Sequence, residues 1–129
     1  MMDELAPFSR FEGEKVISLE TYRRNGVPVR TPVWFLIENG ILYVHTDDGT
    51  GKVKRIRRNP KVRLAPSHFR GKPKEEYIDA QAELETSPAT VEEYHSKIYK
   101  KYGLQGTFTK FIQHFSRSKA NDVIIPIHL

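Results

Sequence analysis

The sequence predicts a mainly β protein: a small antiparallel barrel of about six strands with two or three short helices. Three observations carry this reading. Two Asn-Gly pairs, Asn25-Gly26 and Asn39-Gly40, each stand between apolar runs, and that dipeptide tolerates the positive φ of a tight hairpin turn. Residues 77–85 alternate with period two: Ile78, Ala80, Ala82 and Leu84 fall on one face, Asp79, Gln81, Glu83 and Glu85 on the other, as in a strand with one wet side. Only one helix-type insertion separates the early strands, which favours an antiparallel barrel over a parallel α/β sheet.

Each element has a local reason. Residues 2–11 carry Leu5, Phe8 and Phe11 at helical spacing, in a short helix limited by Pro7. In residues 15–24, Ile17, Leu19 and Thr21 alternate with Ser18 and Glu20, a strand pattern. Residues 27–38 read as one long apolar strand. Pro28 and Pro32 remove ladder donors from it, so a bend, bulge or edge is expected near Pro32. Residues 41–46 return after the second turn, giving three antiparallel strands in a meander. The run 47–51 then breaks the pattern. Val53 and Ile56 give residues 51–58 one apolar stripe, with Thr50 as candidate N-cap and Asn59-Pro60 as the stop. Lys61–Pro66 is a strand and 68–73 a Gly/Pro loop. Ser87-Pro88 opens a second helix, with Val91, Tyr94, Ile98 and Tyr102 on one face and Gly103 ending it. Phe108, Phe111, Ile112 and Phe115 mark a third amphipathic helix. Residues 123–129 form the last strand.

A chain of 129 residues is one-domain length, read here as a single domain over 1–129. It has no cysteine, which excludes a disulfide scaffold, a Cys-ligated metal and a thiolate nucleophile. No apolar run approaches the roughly 18 residues of a membrane span. The first residues are acidic and lack the apolar core of a signal peptide, so a soluble cytoplasmic protein is expected. The formal charge of +5 hides an asymmetry. Ten basic residues and no acidic one lie between Lys52 and Lys74, while the other 11 basic residues stand against 16 acidic ones. A mildly acidic protein thus carries one basic segment, which calls for an anion.

The chemistry concentrates at the start of that segment. Residues 43–55 read as strand, glycine-containing turn and helix start. A helix N-terminus already carries partial positive charge, so Lys52, Lys54 and Arg55 are locally unfavourable there. A phosphate would offset them, taking the backbone N–H groups near Thr50–Lys52, the Thr50 hydroxyl and the Lys52 and Arg55 side chains together. The alternative is a solvated basic helix. The spacing is not that of a P-loop. A second stretch, Arg30-Thr31-Pro32-Val33-Trp34-Phe35, could lay apolar, locally unpaired backbone against a flat ring system; taken alone, it reads more simply as core packing.

The order of Asn-Gly hairpin, TPVWF, Asn-Gly hairpin and LYVHTDDGTGKVKRIRRNPKVRLAP resembles the pyridoxamine 5′-phosphate oxidase-like family of flavin-binding split barrels, and most closely its branch of small proteins that use coenzyme F420. The resemblance covers about residues 15–84. It implies a six-stranded split β-barrel acting as a homodimer, with cofactor sites at the subunit interface. It implies that Thr46, Thr50 and Lys52 hold the cofactor phosphate with the help of Arg55, beside Gly51, and that Thr31, Pro32, Val33 and Trp34 line the ring. The implied activity is that of an FMN- or F420-dependent oxidoreductase passing hydride between cofactor and a small organic substrate. Two departures bear on substrate. The oxidases proper usually have Arg-Lys where this chain has Gly51-Lys52, and they carry a C-terminal Trp and Arg motif, whereas this chain has no tryptophan after Trp34. Oxidation of vitamin B6 is therefore not expected.

The five histidines (His45, His68, His95, His114, His128) show no local metal-binding spacing, so no metal is expected. His68, in the basic loop, could touch an anion. No carboxylate pair and no triad stands out, which suits an enzyme whose cofactor carries the chemistry. Two other classes fit the composition: a nucleic-acid-binding basic barrel, and a non-catalytic carrier of flavin or haem. Against the first, the basic segment holds one aromatic, Phe69, and so offers little stacking platform.

Overall fold

The long apolar run bracketed by the two Asn-Gly pairs is not one strand. The computed structural model, which describes residues 7–104 and 122–129, breaks the run at Trp34 into β2 (Pro28–Val33) and β3 (Phe35–Glu38). The other strands are β1 (Ile17–Tyr22), β4 (Ile41–Asp47), β5 (Lys61–Pro66), β6 (Ile78–Ala82) and β7 (Asp122–His128). Helix α1 spans Gly51–Arg58 and α2 Pro88–Leu104. All pairings are antiparallel, in the order β2-β1-β5-β6-β7-β4-β3. β2 pairs with β1, from Ile17↔Val33 to Tyr22↔Pro28, and β3 pairs with β4, from Phe35↔Val44 to Glu38↔Ile41. The two halves of the run are therefore the opposite edges of one curled sheet, joined at Trp34. The expected three-strand meander is corrected accordingly: it is two separate hairpins sharing a corner. Counting the bent run as one strand restores the expected six.

The two turns differ. Asn39 and Gly40 both take positive φ, 53° and 77°, as a two-residue type I′ turn requires. At the first turn only Gly26 is positive, at 86°. Arg23 N–H donates to Val27 O at 2.9 Å and Gly26 N–H to Arg23 O at 2.8 Å. That is a three-residue loop closed by a left-handed glycine, not the expected type I′ turn.

The inward rows meet in one core: Ile17 and Leu19 of β1, Leu42 and Val44 of β4, Val62 and Leu64 of β5, Ala80 and Ala82 of β6, Ile125 and Ile127 of β7. Val53 and Ile56 of α1 plug into it, as their spacing predicts. Phe8 and Phe11 join them around a 3-10 turn, Ser9–Phe11, and the part of the expected helix at residues 2–6 lies outside the described residues. α2 covers the outer side of β4 and β7. Its Val91 and Tyr94 pack with Tyr43 and Ile124, and its Ile98 and Tyr102 are fully buried. The helix runs past Gly103, the expected stop, to Leu104, because Gly103 does not take the left-handed conformation of a glycine cap. The helix expected at Phe108–Phe115 lies outside the described residues.

Candidate functional site

The site begins where β4 ends. Thr46 continues the inward row of Leu42 and Val44 and is buried. Four residues on, Thr50 takes the N-cap position of α1, with φ −73° and ψ 156°. Its hydroxyl donates to Asp47 O at 2.9 Å and makes no bond to the first turn. The expected cap is thus right in position and wrong in bonding, because a closer carbonyl takes the hydroxyl. The first N–H groups of a helix have no internal partner, and here no side chain of the cap takes them and no acidic residue stands in the first turn. Thr46 Oγ1 lies 3.3 Å from Thr50 Oγ1, and Lys52 Nζ reaches Thr46 Oγ1 at 3.4 Å.

Arg55, one turn further, folds its guanidinium back over the helix start. A Cβ built on Gly51 would meet Arg55 Nη1 at 2.6 Å. Arg55 Nε donates to Thr21 Oγ1 of β1 at 2.6 Å, which fixes the fold-back. Where the resembling oxidases carry an arginine, this chain has a glycine, and the guanidinium of Arg55 takes the space.

The electrostatics of the corner are one-sided. Lys52 and Arg55 are half-buried, and among the described residues neither forms an ion pair with a carboxylate. Burial pushes the Lys52 ammonium below its ordinary value, and repulsion from Arg55 adds to this against the opposing pull of Asp47. Arg55 is lowered too, by burial first and then by Arg23 and Arg58. Elsewhere in the basic segment carboxylates are at hand: Arg57 meets Asp48 at 2.9 Å, Arg63 meets Glu20 at 3.5 Å, and Lys74 meets Glu14 at 3.0 Å. What sets Lys52 and Arg55 apart from the other cations of the segment that lack such a partner is that they are half-buried, whereas Lys54, Arg58, Lys61, Arg70 and Lys72 are exposed.

The second predicted group forms the β2–β3 corner. Thr31 faces inward, and its buried Oγ1 has no hydrogen-bond partner. Pro32 faces outward and is exposed; a Cβ on Gly71, in the 68–73 loop, would lie 3.5 Å from its Cδ. Val33 is core. The Trp34 indole stacks on the Tyr102 ring, 4.1 Å between centroids and 9° between planes. The Tyr102 hydroxyl accepts from Phe35 N–H at 3.0 Å and donates to Lys15 O at 2.7 Å. The corner is braced from α2, and one face of Trp34 is already occupied.

The structure therefore joins Thr46, Thr50, Gly51, Lys52 and Arg55 into one cluster and sets Thr31–Trp34 on a different element. A groove of about 590 Å³ runs elsewhere, along Tyr22, Asn59, Lys61, Arg63, Gln81 and Leu129, and none of the predicted residues lines it. Sequence reasoning missed Thr21, Tyr102 and a grouping of His45, His95 and Asp122. For Thr21 there was a signal, a hydroxyl in the apolar row of β1. A phosphate-bearing cofactor fits what is present: two half-buried cations without a counter-charge, hydroxyls beside them, an uncapped helix start and an orphaned Thr31 hydroxyl.

A curled antiparallel sheet whose two edges share one bent strand defines a split-barrel protein. The chain belongs to the pyridoxamine 5′-phosphate oxidase family, whose model matches residues 1–128. Among solved structures it is similar to an F420 reductase, with 22% identity, TM-score 0.66, and 95% of this chain and 91% of the other covered. It is similar to the haem-storage protein HutZ from Vibrio cholerae, with 14% identity, TM-score 0.66, and 91% and 82% covered. It is also similar to an FAD-binding protein from Mesorhizobium loti, with 14% identity, TM-score 0.62, and 91% and 82% covered. At these identities the likeness is one of fold. No curated protein matches the chain. Among the described residues no helix is long and apolar enough to cross a membrane.

Proposed function

We propose that this protein binds FMN or coenzyme F420 and works as an oxidoreductase on a small organic substrate, as a homodimer with the site at the subunit interface. The observation that carries the reading is the half-buried pair Lys52 and Arg55 with no carboxylate to balance it. A bound phosphate would supply the missing charge, receive hydrogen bonds from Lys52 Nζ and Arg55 Nη1, and meet the first N–H groups of α1. Thr46 and Thr50 would orient it through their hydroxyls. Thr31, Pro32, Val33 and Trp34 would present backbone and an apolar edge to the ring, with Trp34 held in place by Tyr102. When bound, the ring supplies the hydride chemistry; the chain supplies binding, orientation and a positive field. The family and an F420 reductase of the same fold support this reading. The carboxylate partners of Arg57, Arg63 and Lys74 weaken the nucleic-acid alternative, because they neutralise cations that a phosphodiester backbone would need.

Mass spectrometry of whatever small molecule copurifies tests the reading, followed by titration with FMN and with F420. Lys52→Ala should weaken binding of the preferred cofactor by about 1.5–3 kcal/mol, the range of a hydrogen bond to a charged group. Unchanged affinity removes Lys52 from the site. Multiple turnover with a reductant and an acceptor separates an enzyme from a carrier.

A further inference from the structure

The sequence shows no local metal-binding spacing, yet the fold converges two imidazoles and a carboxylate between α2 and the sheet. His45 comes from β4, His95 from α2 and Asp122 from the first position of β7. His45 Nε2 lies 3.2 Å from Asp122 Oδ2 and 3.2 Å from His95 Nδ1, and the three ligand-type atoms all lie within 4.8 Å of one another. The side chains of His45 and Asp122 are only 12% and 3% exposed, and His95 is 2% exposed. We propose that His45, His95 and Asp122 form a binding site for a divalent first-row transition-metal ion of the zinc type, one that ties α2 to β4 and β7.

The argument is geometric. A tetrahedral ion with ligands at about 2.0–2.1 Å sets them roughly 3.3 Å apart. Two of the three edges here match that spacing, at 3.2 Å. One nitrogen, His45 Nε2, stands between a carboxylate oxygen and another ring nitrogen, so as a neutral donor it would share a single N–H between them. An ion takes a lone pair from all three. The two rings are tilted by 58°, with centroids 4.6 Å apart, so they converge edge-on and are not stacked. Two nitrogens and one carboxylate form the donor set of three-ligand metal sites with an open position.

This site is separate from the cofactor corner. Leu42, Val44 and Thr46 point inward along β4, whereas Tyr43 and His45 point outward under α2. Neighbouring residues, Thr46 and His45, therefore serve opposite faces of one strand. The proposal holds or fails independently of whether FMN or F420 binds.

The test uses the full chain, stripped with a chelator and then titrated with Zn²⁺ by calorimetry and with Co²⁺ by visible absorption. The expected result is one equivalent per chain at micromolar metal, with Co²⁺ d–d bands of a site having nitrogen ligands. Asp122→Asn, close in shape to the native side chain, and His95→Gln should each weaken binding at least tenfold, and His68→Ala, at an exposed histidine, should not. If a ligand variant fails to fold, X-ray absorption of the Co²⁺-loaded native protein decides by counting imidazole ligands: two support the site, none overturns it. Absence of Zn²⁺ and Co²⁺ binding by the native chain overturns the proposal. So does binding that survives both ligand variants undiminished.

Discussion

Replacing Gly51 by alanine separates stability from binding at one atom. Gly51 is the first residue of α1 and does not take positive φ, so alanine is conformationally acceptable there. Helix propensity and a less flexible unfolded chain favour alanine by at most about 1 kcal/mol, and loss of the Arg55–Thr21 hydrogen bond offsets about as much, so stability should stay near native. The added Cβ would meet Arg55 Nη1 at 2.6 Å. That atom ends a flexible side chain, so the guanidinium swings away at little steric cost. Its hydrogen bond to Thr21 and its place over the helix start are then lost together. If that guanidinium meets the cofactor phosphate, binding should weaken by up to about 1.5–3 kcal/mol, roughly tenfold to above a hundredfold. Arg55→Ala sets the ceiling of the effect. Thermal melting and a fluorescence titration with FMN and F420 read the two quantities on the same samples. Native affinity in a stable Gly51→Ala protein would refute the reasoning.

Three further outcomes follow from the packing. Tyr102→Phe removes the hydroxyl that accepts from the buried Phe35 N–H and donates to Lys15 O; urea unfolding should show a loss of about 1–3 kcal/mol. Glu20, 1% exposed, would have its carboxyl raised by burial, but hydrogen bonds from Tyr22 and Arg30 and the charges of Arg30 and Arg63 outweigh that and hold it below its ordinary value. A depressed carboxyl contributes stability above its unfolded value and loses it as pH falls through the folded one. Native stability should therefore drop as pH falls below about 4.5, and Glu20→Gln should flatten that slope; parallel slopes would dismiss the role. Burial pushes the Lys101 ammonium down to about 8. The cost of its charged form is present below that value and relieved as pH rises toward 10.5. NMR of lysine side chains should find one titrating near pH 8, absent in Lys101→Met, and uniform titration above pH 10 would contradict this burial.

What could be read from the sequence was set by local chemistry. Asn39-Gly40 specifies its turn because both residues accept positive φ. Val53 and Ile56 declare the buried side of α1, and the alternation of 78–82 declares both faces of β6. The β2–β3 split was half legible: Pro32 announces a bend or edge within residues 27–38, but only pairing with β1 on one side and β4 on the other reveals a full break at Trp34. The site divides the same way. The surplus of cations at Lys52–Arg55 is a property of the sequence. The turning of the Thr50 hydroxyl to Asp47 and the return of Arg55 over Gly51 arise only when three-dimensional neighbours compete for each group. His45 and His95 stand 50 positions apart, beyond any local motif.

The sheet order has a mechanical consequence. In backbone terms the barrel is a clamshell: one valve is β2-β1-β5-β6, the other β7-β4-β3. On one side the valves meet along β6 and β7, a seam that runs from Gln81↔His128 and Ala82↔Ile127 past the Glu83 N–H donating to Pro126 O to the bridge Glu85↔Ile124. On the other side a single residue, Trp34, is the hinge pin, and the stacked ring of Tyr102 is its latch. Breathing of the native state should run along that seam and leave the two hairpins whole.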